Sequence, residues 1–127
     1  MIGYVTVGAR DIPKAAKFYD ALAGVMNVPR LMGSEDENFI AWGTQDAAGF
    51  GILKPFDGGP VSVGNGVMVA LMAESPEQVD QIYKTALANG GTDEGAPGPR
   101  GEGGFYAAYF RDLDGHKLNA FCMVAPS

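Results

Sequence analysis

The sequence holds one cysteine, Cys122, and one histidine, His116, in 127 residues. A lone cysteine excludes an intrachain disulfide and a multi-cysteine metal knot, and a lone histidine excludes a His-His metal pair within one chain. Cys122 is flanked by apolar residues in a strand-like run, which reads as a buried thiol rather than a nucleophile. Basic residues are scarce, nine Lys and Arg against fifteen Asp and Glu, for a net charge of −6 and a pI near 4.5. That balance argues against a nucleic-acid partner or an anionic membrane surface, both of which need a basic face. No apolar run reaches the length of a membrane span. No basic start leads into a long apolar stretch at Met1, so no signal peptide is expected and the chain reads as cytoplasmic.

What is present suits one compact domain: 46% of the residues are hydrophobic and 19% charged, enough to bury a core without staples. The nineteen glycines are clustered, which points to tight turns and a mobile loop. Ile2 to Val7 reads as a first strand. Asp11 is placed to cap a helix with Pro13 in its first turn, and Ala15, Phe18, Tyr19 and Leu22 make one apolar stripe up to about Ala23, with Gly24 as the stop. Val25 to Glu37 reads as irregular, its acidic run Glu35-Asp36-Glu37 as a solvated turn without calcium-loop spacing. Strands are expected over Asn38–Gly43 and Phe50–Lys54, and Asp57-Gly58-Gly59-Pro60 marks an internal boundary.

The pattern then repeats. Val67 to Met72 is strand-like, Ser75-Pro76-Glu77-Gln78 is a capping box, and Val79, Ile82, Tyr83, Ala86 and Leu87 share one helix face before Asn89-Gly90. A shift of 64 residues lays Tyr4 on Met68, Asp11 on Ser75, Phe18 on Ile82 and Tyr19 on Tyr83. Gly90 to Gly104, rich in glycine and proline, reads either as a flexible surface loop or as a lid whose anion donor is Arg100. The chain closes on a hairpin, Tyr106 to Phe121, with its turn at Asp114-Gly115. Alternation puts Lys117, Asn119 and Phe121 on one face of the last strand and Leu118, Ala120 and Cys122 on the other.

Three stretches resemble the vicinal oxygen chelate superfamily of glyoxalase I, bleomycin-resistance proteins and extradiol dioxygenases. They are Asp11 to Tyr19, Gly90 to Arg100, and Phe110-Arg111-Asp112-Leu113-Asp114-Gly115-His116-Lys117-Leu118-Asn119, which is similar to the aromatic-x-Asp-Pro-Asp-Gly-Asn-x-Ile-Glu segment with Leu113 and His116 in place of proline and asparagine. The resemblance implies an α+β fold of two βαβββ modules, residues 1–60 and 61–127 of a single domain. Their strands form a half-open barrel-like sheet around a cavity with helices outside, and the chain pairs as a homodimer. It also implies that the four metal-ligand positions of the family's enzymes fall on Tyr4, Ile52 (give or take one residue), Met68 and Asn119. None is a good ligand for a divalent ion, so no metal and no cofactor is expected.

What is expected instead is an aromatic and sulfur-lined pocket of Tyr4, Thr6, Ile52, Met68, Tyr106, Phe110, Asn119 and Phe121, with Arg100 as a further handle and Trp42 either bordering the cavity or filling the core. Three functions follow. The first is a metal-free protein that binds a small, partly aromatic molecule, with no catalytic residue. The second is a glyoxalase-like lyase, isomerase or dioxygenase that uses displaced ligands such as Glu102, Asp112 or His116, or Tyr4 as acid and base. The third is a dimeric interaction module without a ligand.

Overall fold

A computed structural model describes residues 1–125. Module one runs β1 (Tyr4–Gly8), α1 (Ile12–Met26), β2 (Arg30–Ser34), β3 (Phe39–Trp42) and β4 (Gly49–Leu53). Module two repeats it as β5 (Val69–Met72), α2 (Pro76–Ala88), β6 (Thr92–Pro99), β7 (Phe105–Arg111) and β8 (Lys117–Met123). The sheets have matching orders, β1-β4-β3-β2 and β5-β8-β7-β6, each with one parallel pair, β1 with β4 and β5 with β8. This is the expected α+β fold of two βαβββ modules, and the sheets do not close on one another.

Both helices start where the sequence caps them. The Asp11 carboxylate accepts the Lys14 N–H at 3.0 Å, and the Ser75 hydroxyl accepts the Gln78 N–H at 3.1 Å. Gln78 then reaches back to the Glu74 N–H and donates its amide to the Val25 carbonyl, tying α2 to the end of α1. α1 does not stop at Gly24. It runs to Met26 and ends on Asn27 in the left-handed region (φ 58°), since asparagine serves as a C-cap where glycine is absent.

Two stretches expected to be irregular contain strands. Arg30–Ser34 pairs with β3, and Thr92–Pro99 pairs with β7. Both pairings are broken by register shifts, which the glycines and prolines of β6 accommodate and which hide the period-two signal. The segment read as a loop or lid is thus largely an edge strand. Glu35–Glu37 forms a short 3-10 turn, with Glu35 bonded to Arg30.

α1 and α2 pack against each other, and each covers one face of its own sheet. One core runs through both modules, from Ile12, Phe18, Leu22, Ile40 and Ile52 to Val79, Ile82, Phe110 and Leu118. The opposite faces are uncovered and carry exposed Tyr4 and Met32 in module one and Met72 in module two. These are the open faces of the two sheets. No helix of the described residues is long and apolar enough to cross a membrane.

A polar latch adds to this core. The Tyr19 hydroxyl of α1 donates to Asp112 Oδ2 at 2.5 Å, and both groups are buried. Asp112 Oδ1 accepts the N–H groups of Asp114 and His116, which shapes the β7–β8 turn. Asp114 in turn accepts the Arg10 N–H at 3.0 Å and its guanidinium at 3.1 Å. His116 Nε2 lies 2.7 Å from the Gly8 carbonyl, which can only accept, so that nitrogen carries the proton.

Burial first, then the Asp112 carboxylate, push the Tyr19 hydroxyl well above the usual tyrosine range. The unfolded chain ionises Tyr19 near pH ~10 while the folded chain keeps it neutral. Its contribution is therefore complete below that pH and is lost as pH rises from there toward the folded value. Urea unfolding followed from pH 8 to 11 should show stability falling above about pH 10, and Tyr19→Phe should flatten that fall.

Candidate functional site

Strand pairing decides which side chains share a face, because directly opposed residues point the same way. In module two, Asn119 of β8 lies opposite Tyr109 of β7 and Ala70 of β5, and Phe121 lies opposite Ala107 and Met72. The open face of this sheet is therefore Lys117, Asn119 and Phe121, with Phe105, Tyr109 and Arg111 beside them. Phe105 and Phe121 stack at 5.6 Å between centroids with 22° between planes. The Arg100 guanidinium carbon sits 5.4 Å from the Tyr109 ring centroid, and the Lys117 ammonium 5.6 Å.

Asn119 stands out among these residues. It is 1% exposed, and neither its Nδ2 nor its Oδ1 has a hydrogen-bond partner. A buried amide left unmet costs about 1–3 kcal/mol per group, so asparagine here is an expensive choice unless something else meets it.

In module one the open face is Tyr4, Thr6, Met32, Phe39, Ala41, Gly51 and Leu53. Thr6 pairs with Gly51 as its repeat partner Ala70 pairs with Asn119, so Gly51 is the counterpart of Asn119. A Cβ there would meet the Ile40 carbonyl at 3.1 Å and the Phe39 ring at 3.3 Å.

The expected site residues divide. Tyr4, Thr6, Asn119 and Phe121 lie on the open faces, Tyr4 and Thr6 exposed to solvent. Met68 is exposed just before β5 and borders a cleft of about 610 Å³ with Arg111, Lys117 and the linker from Val63 to Val67. Arg100 follows β6 and donates to the carbonyls of Ala96, Gly98 and Pro99.

Four residues face the other way and do not join Asn119. Phe110 is fully buried beside Phe18. Tyr106 donates to Asp80 of α2 at 2.7 Å. Ile52 is fully buried between Val7 and Ile40 on the helix-covered face. Trp42 is also on that face. Its indole donates to Asp20, and it borders a separate apolar cleft of about 140 Å³ between α1 and the end of its sheet.

The shift has one cause in module two. A two-residue turn at Asp114-Gly115 sets Phe110 opposite Asn119, but the turn spans Asp112 to His116, with only Gly115 at positive φ (91°). The one-residue difference moves every side chain of β7 to the other face. Tyr109 therefore takes the place expected of Phe110. Asp112, whose structured turn makes this difference, is the signal that could have revealed it.

The family model for the Glyoxalase/Bleomycin resistance protein/Dioxygenase superfamily matches residues 1–120. The chain belongs to that superfamily. This superfamily member is similar to the crystal structure of a glyoxalase/bleomycin resistance protein from Albidiferax ferrireducens T118, with 37% identity, TM-score 0.88, and 98% of this chain and 99% of that chain covered. Two more distant structures share the fold. One is a glyoxalase/bleomycin resistance protein/dioxygenase family enzyme from Burkholderia phytofirmans PsJN, at 18% identity and TM-score 0.73, covering 96% of this chain and 98% of that one. The other is TioX from Micromonospora sp. ML1, at 16% identity and TM-score 0.63, covering 98% and 99%. No curated protein matches the chain.

The positions that the resemblance assigns to a divalent ion offer an exposed phenol at Tyr4, a thioether at Met68, an amide at Asn119 and, in module one, either Ile52, which points to the helices, or Gly51, the counterpart of Asn119, which has no side chain. That donor set does not fit a hard or borderline divalent ion. Among the described residues no group of three His, Cys, Asp or Glu converges to hold one. Asp112 and His116 are engaged in the latch.

Proposed function

We propose that this glyoxalase-superfamily chain is a metal-independent binding protein for a small, partly aromatic molecule. The ligand lies on the open face of module two, around Asn119, Phe121 and Tyr109. The open face of module one from a second copy, with Tyr4 and Thr6, covers it in a homodimer, and Arg100 and Met68 flank the site. The observation that carries this reading is Asn119: an amide with both polar atoms buried and unmet, set among aromatic rings on an otherwise open face. A neutral amide both donates and accepts, so it can orient a polar group where a carboxylate could only accept. The side chains flanking it, Lys117 and Tyr109, are long enough to turn aside for a ligand. Exposed Tyr4 and Met32 on one open face and Met72 on the other favour a covering partner, since large apolar side chains left exposed on uncovered sheets mark interaction surfaces.

The test is calorimetric titration of EDTA-treated protein with 2-naphthol, with mass measured by light scattering on the same sample. The expected result is one ligand per chain and a dimer of the 13.3 kDa chain, with no gain from nickel, zinc, manganese or iron. Binding that appears only after one of those ions is added would overturn the metal-independent reading. A monomer at high micromolar concentration would overturn the shared site.

A further inference from the structure

Resting on that reading, we infer that the open face of module two selects an aromatic organic anion, with its carboxylate held by Lys117 and its ring plane against Tyr109 and Phe121. The chain as a whole repels anions, at −6, yet this patch collects cations. Lys117 and Arg100 both approach the ring of Tyr109, at 5.6 Å and 5.4 Å. Arg111 stands opposite Lys117 across the β7–β8 ladder.

Their counter-charges are uneven. Arg111 is paired with Glu94 and donates to the Gly115 carbonyl at 2.8 Å. Arg100 donates through Nη1 and Nη2 to backbone carbonyls alone, which carry no counter-charge. Lys117 forms no ion pair and no hydrogen bond among the described residues. It is half-buried and borders the cleft of about 610 Å³ beneath the linker, whose lining contains no carboxylate. Two cations gathered around one ring repel each other, and an anion bound beside Lys117 offsets that repulsion.

The second, independent feature is the unmet amide of Asn119, two residues along the same strand face from Lys117. Its Nδ2 is a further donor for a carboxylate oxygen, and its Oδ1 accepts from any hydroxyl on the ring. The open face of module one brings no charge of its own: Tyr4, Thr6, Met32, Phe39, Ala41, Gly51 and Leu53 are all neutral. A copy laid over the site would thus exclude water without supplying a competing carboxylate from these positions, and a charge pair strengthens when water is excluded.

The experiment compares 2-naphthoate with 2-naphthamide, which share shape and differ in charge, by calorimetry on the intact protein at low salt. The carboxylate should bind at least about tenfold more tightly, and the advantage should shrink as salt is added. Lys117→Met should bring the ratio of the two affinities to within about twofold of one, and Lys117→Arg should preserve it. Thermal melting of each variant confirms that it is folded, and Lys117→Gln replaces Lys117→Met if that variant is not. An amide that binds as tightly as the carboxylate, or a Lys117→Met protein that keeps the full ratio, overturns the selection of anions and leaves the small-molecule reading standing. Failure of both compounds to bind at millimolar concentration overturns the two together.

Discussion

Replacing Phe110 with alanine should lower the folding free energy by about 3–5 kcal/mol. Phe110 is fully buried, lies 6.5 Å from Phe18 between ring centroids, and so sits where the two modules share their core. Removing the ring opens a cavity that helices on both sides are too constrained to fill. Domains of this size carry about 5–15 kcal/mol in total, so the variant should unfold at much lower urea. Tyr106→Phe is the matched control. It keeps the ring and loses only the partly buried bond to Asp80, for about 1 kcal/mol. If Phe110→Ala were as stable as the parent, Phe110 would have to lie on the open face, and the assignment of faces in β7 would be wrong.

The second large effect is Ile52→Glu, which should yield no folded protein near neutral pH, while the neighbouring Leu53→Glu should fold. Ile52 is fully buried against Val7 and Ile40. The substitution loses about 2–5 kcal/mol of packing and adds an unpaired carboxylate, which costs several kcal/mol more or forces protonation. Leu53 is half-buried on the open face, opposite Phe39, so a glutamate there reaches water. Its cost should fall in the ordinary range of about 0.5–3 kcal/mol. Soluble yield and melting temperature separate the two, and equal behaviour would sink the facing assigned to β4. An attempt to restore a four-ligand metal site in this chain should therefore avoid Ile52 and place its module-one acid at Gly51, the counterpart of Asn119, together with Tyr4→His, Met68→His and Asn119→Glu.

These two positions also show how far the sequence carries. The repeat was legible because its strongest signals are local: Asp11 and Ser75 cap their helices through their own side chains, and the apolar stripes need only a period. Facing in a strand is different, because it depends on register, and register is set by the turn. Asp114-Gly115 reads as a two-residue turn, but the Asp112 carboxylate gathers the N–H groups of Asp114 and His116 and lengthens it. Tyr109 and Phe110 thereby exchange places. The faces of Thr6 and Phe121 were legible by counting alternation from Tyr4 and Asn119, whose direction the family resemblance implied. β6 was not legible, because its bulges and its glycines erase the alternation. Lys117 was placed on the face of Asn119 by the same counting. Its lack of a counter-charge becomes visible only when the neighbouring strands are in position.

The latch between the modules also fixes an order of events in synthesis. Its bonds join residues far apart in the chain: Arg10 to Asp114 across 104 positions, Tyr19 to Asp112 across 93, and His116 to Gly8 across 108. The module-one turn that matches it, Thr44 to Ala48, is exposed and offers no substitute. At about 5–20 residues per second on the ribosome, Tyr19 emerges roughly 5–20 seconds before its acceptor exists. Module one spends the first part of that interval, until Ala88 has been added, with its helix uncovered on the side that α2 will occupy. The hairpin that arrives last is the one that closes the first strand and helix, so a nascent chain arrested before residue 112 should be the species that chaperones hold.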